Sequence, residues 1–224
     1  MNIETKFKDS LAYETKTQVK TYSVEDVKSG GGVCYLVVKR LFDIIFSVLV
    51  GILASPIMLV ISLLIKLESH GKVLYIQERV GKDGKEFNML KFRTMIENAE
   101  KGSPVWAEED DPRCTKIGKK LRKYRLDEIP QLWNIFVGHM SVVGPRPERR
   151  YFYDKFEEYI PGFSNRLKVK PGLTGLAQVN GGYYLLPEEK IVYDMQYIKT
   201  RSIWCDLKII LYTVRVVFKK EGAK

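Results

Sequence analysis

The chain has 224 residues, with 37 Lys and Arg against 27 Asp and Glu, a net charge of +10 and a pI near 9.3. That length fits one domain of ordinary size plus an appendage, and the basic excess points to an anionic partner: nucleic acid, anionic lipid or a phosphorylated small molecule. Cys34, Cys114 and Cys205 are odd in number and far apart, and His70 and His139 are isolated, which argues against a disulfide framework or a zinc site and for a reducing compartment.

Residues 1–32 are polar, mixed in charge and end in Gly30-Gly31-Gly32, so they read as a mobile or weakly helical extension and not as a cleavable signal peptide. Ile44 to Ile65 then carries no charge and reaches the length of about 20 residues that spans a bilayer as a helix. Two features favour a re-entrant segment over a span. Pro56 removes a backbone donor in its middle and bends or breaks the helix, with Ser55 placed to satisfy a freed backbone group. Lys39 and Arg40 precede the segment and Lys66, Lys72, Arg79, Lys82 and Lys85 follow it, so the positive-inside tendency keeps both flanks in the cytoplasm. A buried soluble helix pair is the third reading. Asp43, one turn after Lys39 and Arg40, suits the interface, where it can pair with a base.

Beyond it, Lys72 to Gln77 reads as a short strand, Glu78 to Glu86 as a turn, and Phe87 to Thr94 as the hairpin partner. On that pairing Lys91 and Arg93 share one strand face, either as a solvated edge or as part of a phosphate site. Met95 to Lys101 is expected to be a short helix and Gly102 to Pro112 an acidic loop. Lys116 to Tyr124 reads as a helix with an Ile117, Leu121, Tyr124 stripe.

Leu126-Asp127-Glu128-Ile129-Pro130-Gln131 follows the basic run of Lys116, Lys119, Lys120, Arg122, Lys123 and Arg125. Bases that neutralise a polyanion beside two carboxylates suit chemistry on a phosphate ester, one carboxylate attacking phosphorus and the other holding a divalent cation. A helix over Ile129 to Val137 puts Asp127 near its N-cap, where an anion is stabilised, so a plain capping role is the competing reading. Val142 to Pro147 is a rigid loop in which two prolines bracket Arg146. Val169 to Gln178 is a second Gly/Pro-marked loop whose polar groups, Gln178 among them, can line a site or serve the turn alone. Trp204, Leu207, Leu211, Val214 and Phe218, flanked by Lys208, Arg215, Lys219 and Lys220, form a basic amphipathic helix that either lies in a membrane interface or packs into the core.

Taken in order, Lys39-Arg40-Leu41-Phe42-Asp43, Ser55-Pro56, Lys91-Phe92-Arg93-Thr94-Met95, the Asp127-Glu128 motif, Gly144-Pro145-Arg146-Pro147 and Lys170-Pro171-Gly172-Leu173-Thr174-Gly175-Leu176-Ala177-Gln178-Val179-Asn180-Gly181 closely resemble the bacterial sugar transferases known as monotopic phosphoglycosyl transferases, over about residues 36–220. In length the chain resembles the small members that consist of the catalytic core. The resemblance implies a compact α/β monotopic membrane enzyme, with a re-entrant Ser55-Pro56-broken helix, a short β-hairpin and interfacial amphipathic helices. Its parts would be a polar extension (1–35), a re-entrant helix (36–70) and a cytosolic and interfacial catalytic domain (71–224). It implies transfer of a sugar-1-phosphate from a UDP-sugar to undecaprenyl phosphate at the cytoplasmic face of the bacterial inner membrane, releasing UMP and initiating a surface glycan. Asp127 would be the covalent nucleophile and Glu128 a Mg²⁺ ligand. Lys91, Arg122 and Arg146 would hold phosphate or nucleotide, and Arg93 and Gln178 join them as candidate substrate-binding residues. Partners are then the UDP-sugar, undecaprenyl phosphate and membrane lipids, with no nucleic acid; a homodimer is compatible. One departure is Gly138-His139-Met140-Ser141, where the family often has Asp in place of His139; a structural role is expected there. The sugar is not legible beyond a hexose or N-acetylhexosamine derivative.

Such chemistry relies on charge neutralisation and alignment, and a carboxylate nucleophile divides it into two in-line steps. The competing classes are a metal-dependent glycosyltransferase that moves only the sugar and releases UDP, and a basic membrane-bound scaffold; no nucleic-acid motif occurs.

Overall fold

The computed structural model describes residues 29–97, 99 and 111–219. Most of the expected N-terminal extension, the acidic loop before Asp111 and the end of the expected Met95–Lys101 helix lie outside the described residues. Within them the architecture is mixed α/β and mostly helical, with two small sheets.

Val33–Glu68 form one helix of 36 residues, α1, about 54 Å long at 1.5 Å per residue. It is the one helix among the described residues long and apolar enough to cross a membrane. The break expected at Ser55-Pro56 does not interrupt it. Pro56 has no N–H to give to the Ile52 carbonyl four residues earlier, and the Ser55 hydroxyl donates to that same oxygen at 2.8 Å. The lost bond is replaced in place, so helical pairing continues through the proline.

One side of α1 faces the rest of the protein in its first half, up to Val50, and again from Met58 onward. Asp43, Phe46, Ser47, Val50, Met58, Ile61 and Ile65 recur at helical spacing, and all are buried or packed against buried residues. Asp43 was expected at the interface beside a base. It is buried instead, accepting hydrogen bonds from the Ser141 hydroxyl (3.0 Å) and the Val142 N–H (2.9 Å). Those neutral donors satisfy the carboxylate inside the protein. At the other end Ile61 and Ile65 pack with Phe92 and Leu121. The remaining circumference is bare: Leu53 is 80% and Leu59 73% exposed.

Strands β1 (Leu74–Val80) and β2 (Glu86–Phe92) form the expected antiparallel hairpin, with Tyr75 opposite Lys91 and Val80 opposite Glu86. β1 runs further than its apolar letters suggest, because the turn is confined to Gly81–Lys85, where Asp83 and Gly84 take positive φ. Met95 forms an isolated bridge with Cys114 rather than opening a helix. Helix α2 (Lys116–Lys123) starts at Thr115, whose hydroxyl accepts from the Gly118 N–H at 2.9 Å. The Glu68 carboxylate accepts from the Ile117 N–H at 3.1 Å, so the end of α1 also caps α2.

A 3-10 turn over Leu126–Glu128 leads to α3 (Gln131–Val137). α3 begins later than expected, with Pro130 at its cap position and no side-chain cap. Two segments read as separate loops are joined: β3 (Ser141–Val143) pairs in parallel with β4 (Gly172–Thr174). Between them lie α4 (Arg150–Tyr159) and a 3-10 segment, Phe163–Lys168; after them come α5 (Leu176–Val179), α6 (Pro187–Thr200) and α7 (Ile203–Lys219). The main core gathers Met89, Ile135, Met140, Phe163 and Ile198 from these elements.

α7 turns Ile209 and Asp206 inward and leaves Trp204, Leu207, Leu211 and Val214 exposed. The stripe anticipated on this helix is therefore outside the core; the Phe218 and Lys219 side chains and Lys220 lie outside the described residues. α3 adds exposed Trp133, Phe136 and Val137. Together with α1 these helices expose many large apolar side chains, the kind of surface that marks an interaction site.

Candidate active site

The site is assembled by β2, the Leu126–Glu128 turn and the loop after β3. Asn134 on α3 accepts from the Leu90 N–H (2.9 Å) and donates to the Asn88 carbonyl (2.7 Å), which locks α3 to β2. Arg125 takes a left-handed φ of 56° and ends the preceding helical run. The chain then re-enters a helical turn, and Leu126 and Ile129 pack beside Ile61, Phe92 and Leu121. Asp127 and Glu128 consequently face a cavity of about 610 Å³, also lined by Lys91, Arg93, Arg122, Arg146 and Gln178. All seven sequence-predicted catalytic and substrate-binding candidates meet there.

The two carboxylates stand in different environments. Glu128 Oε1 accepts from Lys91 Nζ at 3.1 Å and from Arg146 Nη2 at 2.5 Å. Burial alone would raise its pKa, but the Arg146 and Lys91 charges and the Arg146 hydrogen bond outweigh that and hold the carboxyl well below the usual range. Asp127 is 7% exposed, and among the described residues its carboxylate makes no hydrogen bond or ion pair. Burial raises its pKa; Lys91 pulls it down, and the adjacent Glu128 charge pushes it up again. The capping role open to Asp127 on sequence is not used, since neither the 3-10 turn nor α3 has a side-chain cap. One carboxylate is thus clamped by two cations, while its neighbour is unclamped and open to the cavity.

The other candidates differ in commitment. Arg122 Nε donates to the Thr94 hydroxyl at 2.9 Å. Arg93 points back to the end of α1, donating to the Ser69 carbonyl (2.9 Å), the Ser69 hydroxyl (3.0 Å) and the His70 carbonyl. Gln178 Nε2 donates to the Leu173 carbonyl at 2.8 Å, and its buried Oε1 has no partner among the described residues. Ser55 and Pro56 are in mid-α1 and do not line the cavity. His139 is exposed, lies 5.7 Å from the Phe87 ring and is not part of the cavity wall, so the change at that position does not touch the dyad.

No group of three His, Cys, Asp or Glu side chains among the described residues is arranged to hold a metal on its own. The dyad still fits a Mg²⁺ ion completed by substrate. Glu128 is held anionic, and among the described residues its hydrogen bonds are made by Oε1; Mg²⁺ commonly takes one or two carboxylates with the rest supplied by phosphate and water.

Sequence reading did not single out Arg79, Glu148, Lys190 or Phe152 as part of the site, although all line the cavity. Arg79 donates to Glu148 at 3.2 Å. Arg166 and Asp194 form a buried pair at 2.6 Å behind Arg146. Arg166, Asp194 and Lys190 lie in stretches with no motif; Glu148, directly after the Pro-Arg-Pro loop, had the clearest positional signal.

A family model described as bacterial sugar transferase matches residues 34–220. The chain is 47% identical over 193 residues to a UDP-glucose:undecaprenyl-phosphate glucose-1-phosphate transferase of Klebsiella pneumoniae, covering 84% of this chain and 42% of that protein. It is 43% identical over 193 residues to a UDP-N-acetylgalactosamine-undecaprenyl-phosphate N-acetylgalactosaminephosphotransferase of Aeromonas hydrophila, covering 85% of this chain and 46% of that protein. A UDP-glucose:undecaprenyl-phosphate glucose-1-phosphate transferase of Caulobacter vibrioides is 40% identical over 190 residues, covering 83% of this chain and 71% of that protein. The chain spans less than half the length of the first two relatives.

Proposed function

The chain belongs to the bacterial sugar transferase family, and from the unequal Asp127-Glu128 pair we propose that it moves a sugar-1-phosphate from a UDP-sugar to undecaprenyl phosphate through a covalent intermediate on Asp127. The observation that carries this reading is the free, buried Asp127 carboxylate beside a Glu128 clamped by Lys91 and Arg146. An Asp127 oxygen attacks the phosphorus that bears the sugar. The bond from that phosphorus to the UMP oxygen breaks, and its electron pair leaves with UMP. An oxygen of the lipid phosphate then attacks the same phosphorus. The Asp127–phosphorus bond breaks, returning the carboxylate and giving the diphospho-linked lipid sugar. Desolvation leaves the ionised Asp127 poorly solvated, which favours its attack, while Lys91, Arg122 and Arg146 offset the charge of the phosphates. Mg²⁺ held by Glu128 would supply further charge neutralisation on the diphosphate. The relatives' names include both glucose and N-acetylgalactosamine donors, so the sugar is left to the assay.

The proposed setting is monotopic, at the cytoplasmic face of the inner membrane. Its support is that both ends of α1 dock on the same body while its outer face is bare. A conventional span would carry one end away to the opposite side. The product would initiate a surface glycan.

The test is incubation of purified enzyme with Mg²⁺ and UDP-glucose, UDP-galactose or UDP-N-acetylgalactosamine, without lipid acceptor. A stoichiometric burst of UMP is expected, together with a gain of one sugar phosphate on Asp127 that added undecaprenyl phosphate removes. Release of UDP would point to transfer of the sugar alone. Turnover with acceptor but neither adduct nor donor-only UMP exchange would remove the covalent step.

A further inference from the structure

The Pro145-Arg146-Pro147 loop carries the guanidinium that clamps Glu128, yet two of its three residues have no N–H with which to be held. It is held by its carbonyls. Pro145 O accepts from the Gly172 N–H at 2.9 Å, Arg146 O from Arg166 Nη2 at 2.9 Å, and Pro147 O from Arg79 Nη1 at 3.0 Å. Three successive carbonyls are thus each engaged by a different element.

Both arginine donors are themselves fixed. Arg166 Nε pairs with Asp194 Oδ2 at 2.6 Å, with the two side chains 1% and 2% exposed, and its guanidinium lies 4.7 Å from the Phe163 ring. Arg79 reaches Gln77 Oε1 at 2.6 Å and Glu148 Oε2 at 3.2 Å. A buried ion pair is a weak source of stability compared with apolar residues of the same volume. Arg166 is poorly optimised even as a pair, since its buried Nη1 has no partner among the described residues. What the guanidinium offers that an apolar side chain cannot is a second arm, aimed at the backbone of Arg146.

We propose that Arg166 and Arg79 are positioning residues: by donating to the carbonyls of Arg146 and Pro147 they set the Pro-Arg-Pro backbone, so that the Arg146 guanidinium meets Glu128 and leaves Asp127 free. The catalytic consequence rests on the function proposed above; the anchoring of the loop does not. Arg166 gives the cleaner test, because it is outside the cavity wall, whereas Arg79 lines it.

Arg166→Lys keeps a cation for Asp194 but loses the rigid fork that serves Asp194 and Arg146 O together. Three measurements are made on the full-length enzyme in detergent: thermal unfolding, donor-only UMP release from the three UDP-sugars above, and amide exchange of peptides covering residues 142–150. Arg166→Lys is expected to unfold near the wild-type temperature, to release UMP roughly 100-fold more slowly, as displacements of about 1 Å can cause, and to exchange faster in that loop than elsewhere. A folded Arg166→Lys enzyme with wild-type rate and loop exchange overturns the proposal. Should that variant fail to fold, Arg166→Met combined with Asp194→Leu removes both charges at similar volume. The double variant should fold, turn over slowly and show the same loosened loop; wild-type rate and exchange there also overturn it. If the wild-type enzyme releases no UMP from any of the three donors, none of them is its substrate, and amide exchange alone decides the anchoring.

Discussion

Asp127→Asn separates a catalytic carboxylate from a structural one, because the two roles move stability in opposite directions. A helix-capping Asp is worth about 0.5–2 kcal/mol, so its loss would destabilise the protein. Asp127 caps nothing and is buried without a hydrogen-bond or ion-pair partner among the described residues. A buried polar group left unpaired costs about 1–3 kcal/mol and a charged one more. Asn keeps the shape and still lacks a partner, so only the part due to charge is recovered, about 1 kcal/mol, or a rise of about 2–4 °C in Tm for a chain of this size. The pH dependence fixes the source of the gain. Burial raises the Asp127 carboxyl above its ordinary value of 3.8. The wild type is therefore relatively most stable below that value and loses stability as pH rises through the raised pKa. The Asn variant lacks this loss, so its advantage should be full at neutral pH and close on acidification. Thermal unfolding of both proteins across pH, with UMP release at each point, checks the argument. A less stable Asn variant at neutral pH, or one that turns over normally, refutes it.

Glu128→Gln is expected to do the reverse to stability: leaving Lys91 and Arg146 without their anion should cost about 3–5 kcal/mol, measured by thermal unfolding, and donor-only UMP release should fall at least about 100-fold. Because the Glu128 carboxyl is held below its ordinary 4.5, the stabilisation that Gln removes is present above that value and lost only as pH falls through the lower folded one. Gly118→Ala would place a Cβ 1.9 Å from the Thr94 carbonyl oxygen, forcing α2 away from the segment that follows β2. A loss of about 1–3 kcal/mol should appear in Tm, with weaker donor binding because Thr94 holds Arg122. Cys34 is exposed at the start of α1, so a membrane-impermeant maleimide applied from the periplasmic side of intact cells should leave it unlabelled, and labelling there would favour a spanning α1.

Much of the site could be read from residue order, because the Asp-Glu pair, the basic strand and the Pro-Arg-Pro loop are short, chemically distinctive segments. What could not be read is where long side chains end. Alternation puts Lys91 and Arg93 on one face, but it does not reveal that Arg93 turns its guanidinium to Ser69 and His70. Strands β3 and β4 are three residues each, too short for a period-two pattern, so their pairing was hidden inside two apparent loops. Asp194 and Arg166 are far apart in sequence and meet only when α6 packs on the Phe163–Lys168 turn. At Pro56 local logic correctly identified the missing donor, and the Ser55 hydroxyl made good the loss without breaking the helix.

The long apolar helix and the site are held by the same bonds. Near its start α1 uses Asp43 to bind Ser141 and Val142, immediately before the Gly144-Pro145-Arg146-Pro147 loop. Its last residue, Glu68, caps α2, which carries Arg122. Just beyond, the Ser69 and His70 carbonyls receive Arg93, two residues from Lys91. Lys91, Arg122 and Arg146, which face the dyad, are therefore each on an element tied to α1. A helix that served only to tether a separate catalytic domain would need none of these contacts. The bare apolar surface and the surface that supports the cationic site are opposite faces of one helix, so in the monotopic setting proposed above the depth at which α1 rests would also set the height of Asp127 relative to a lipid-borne phosphate.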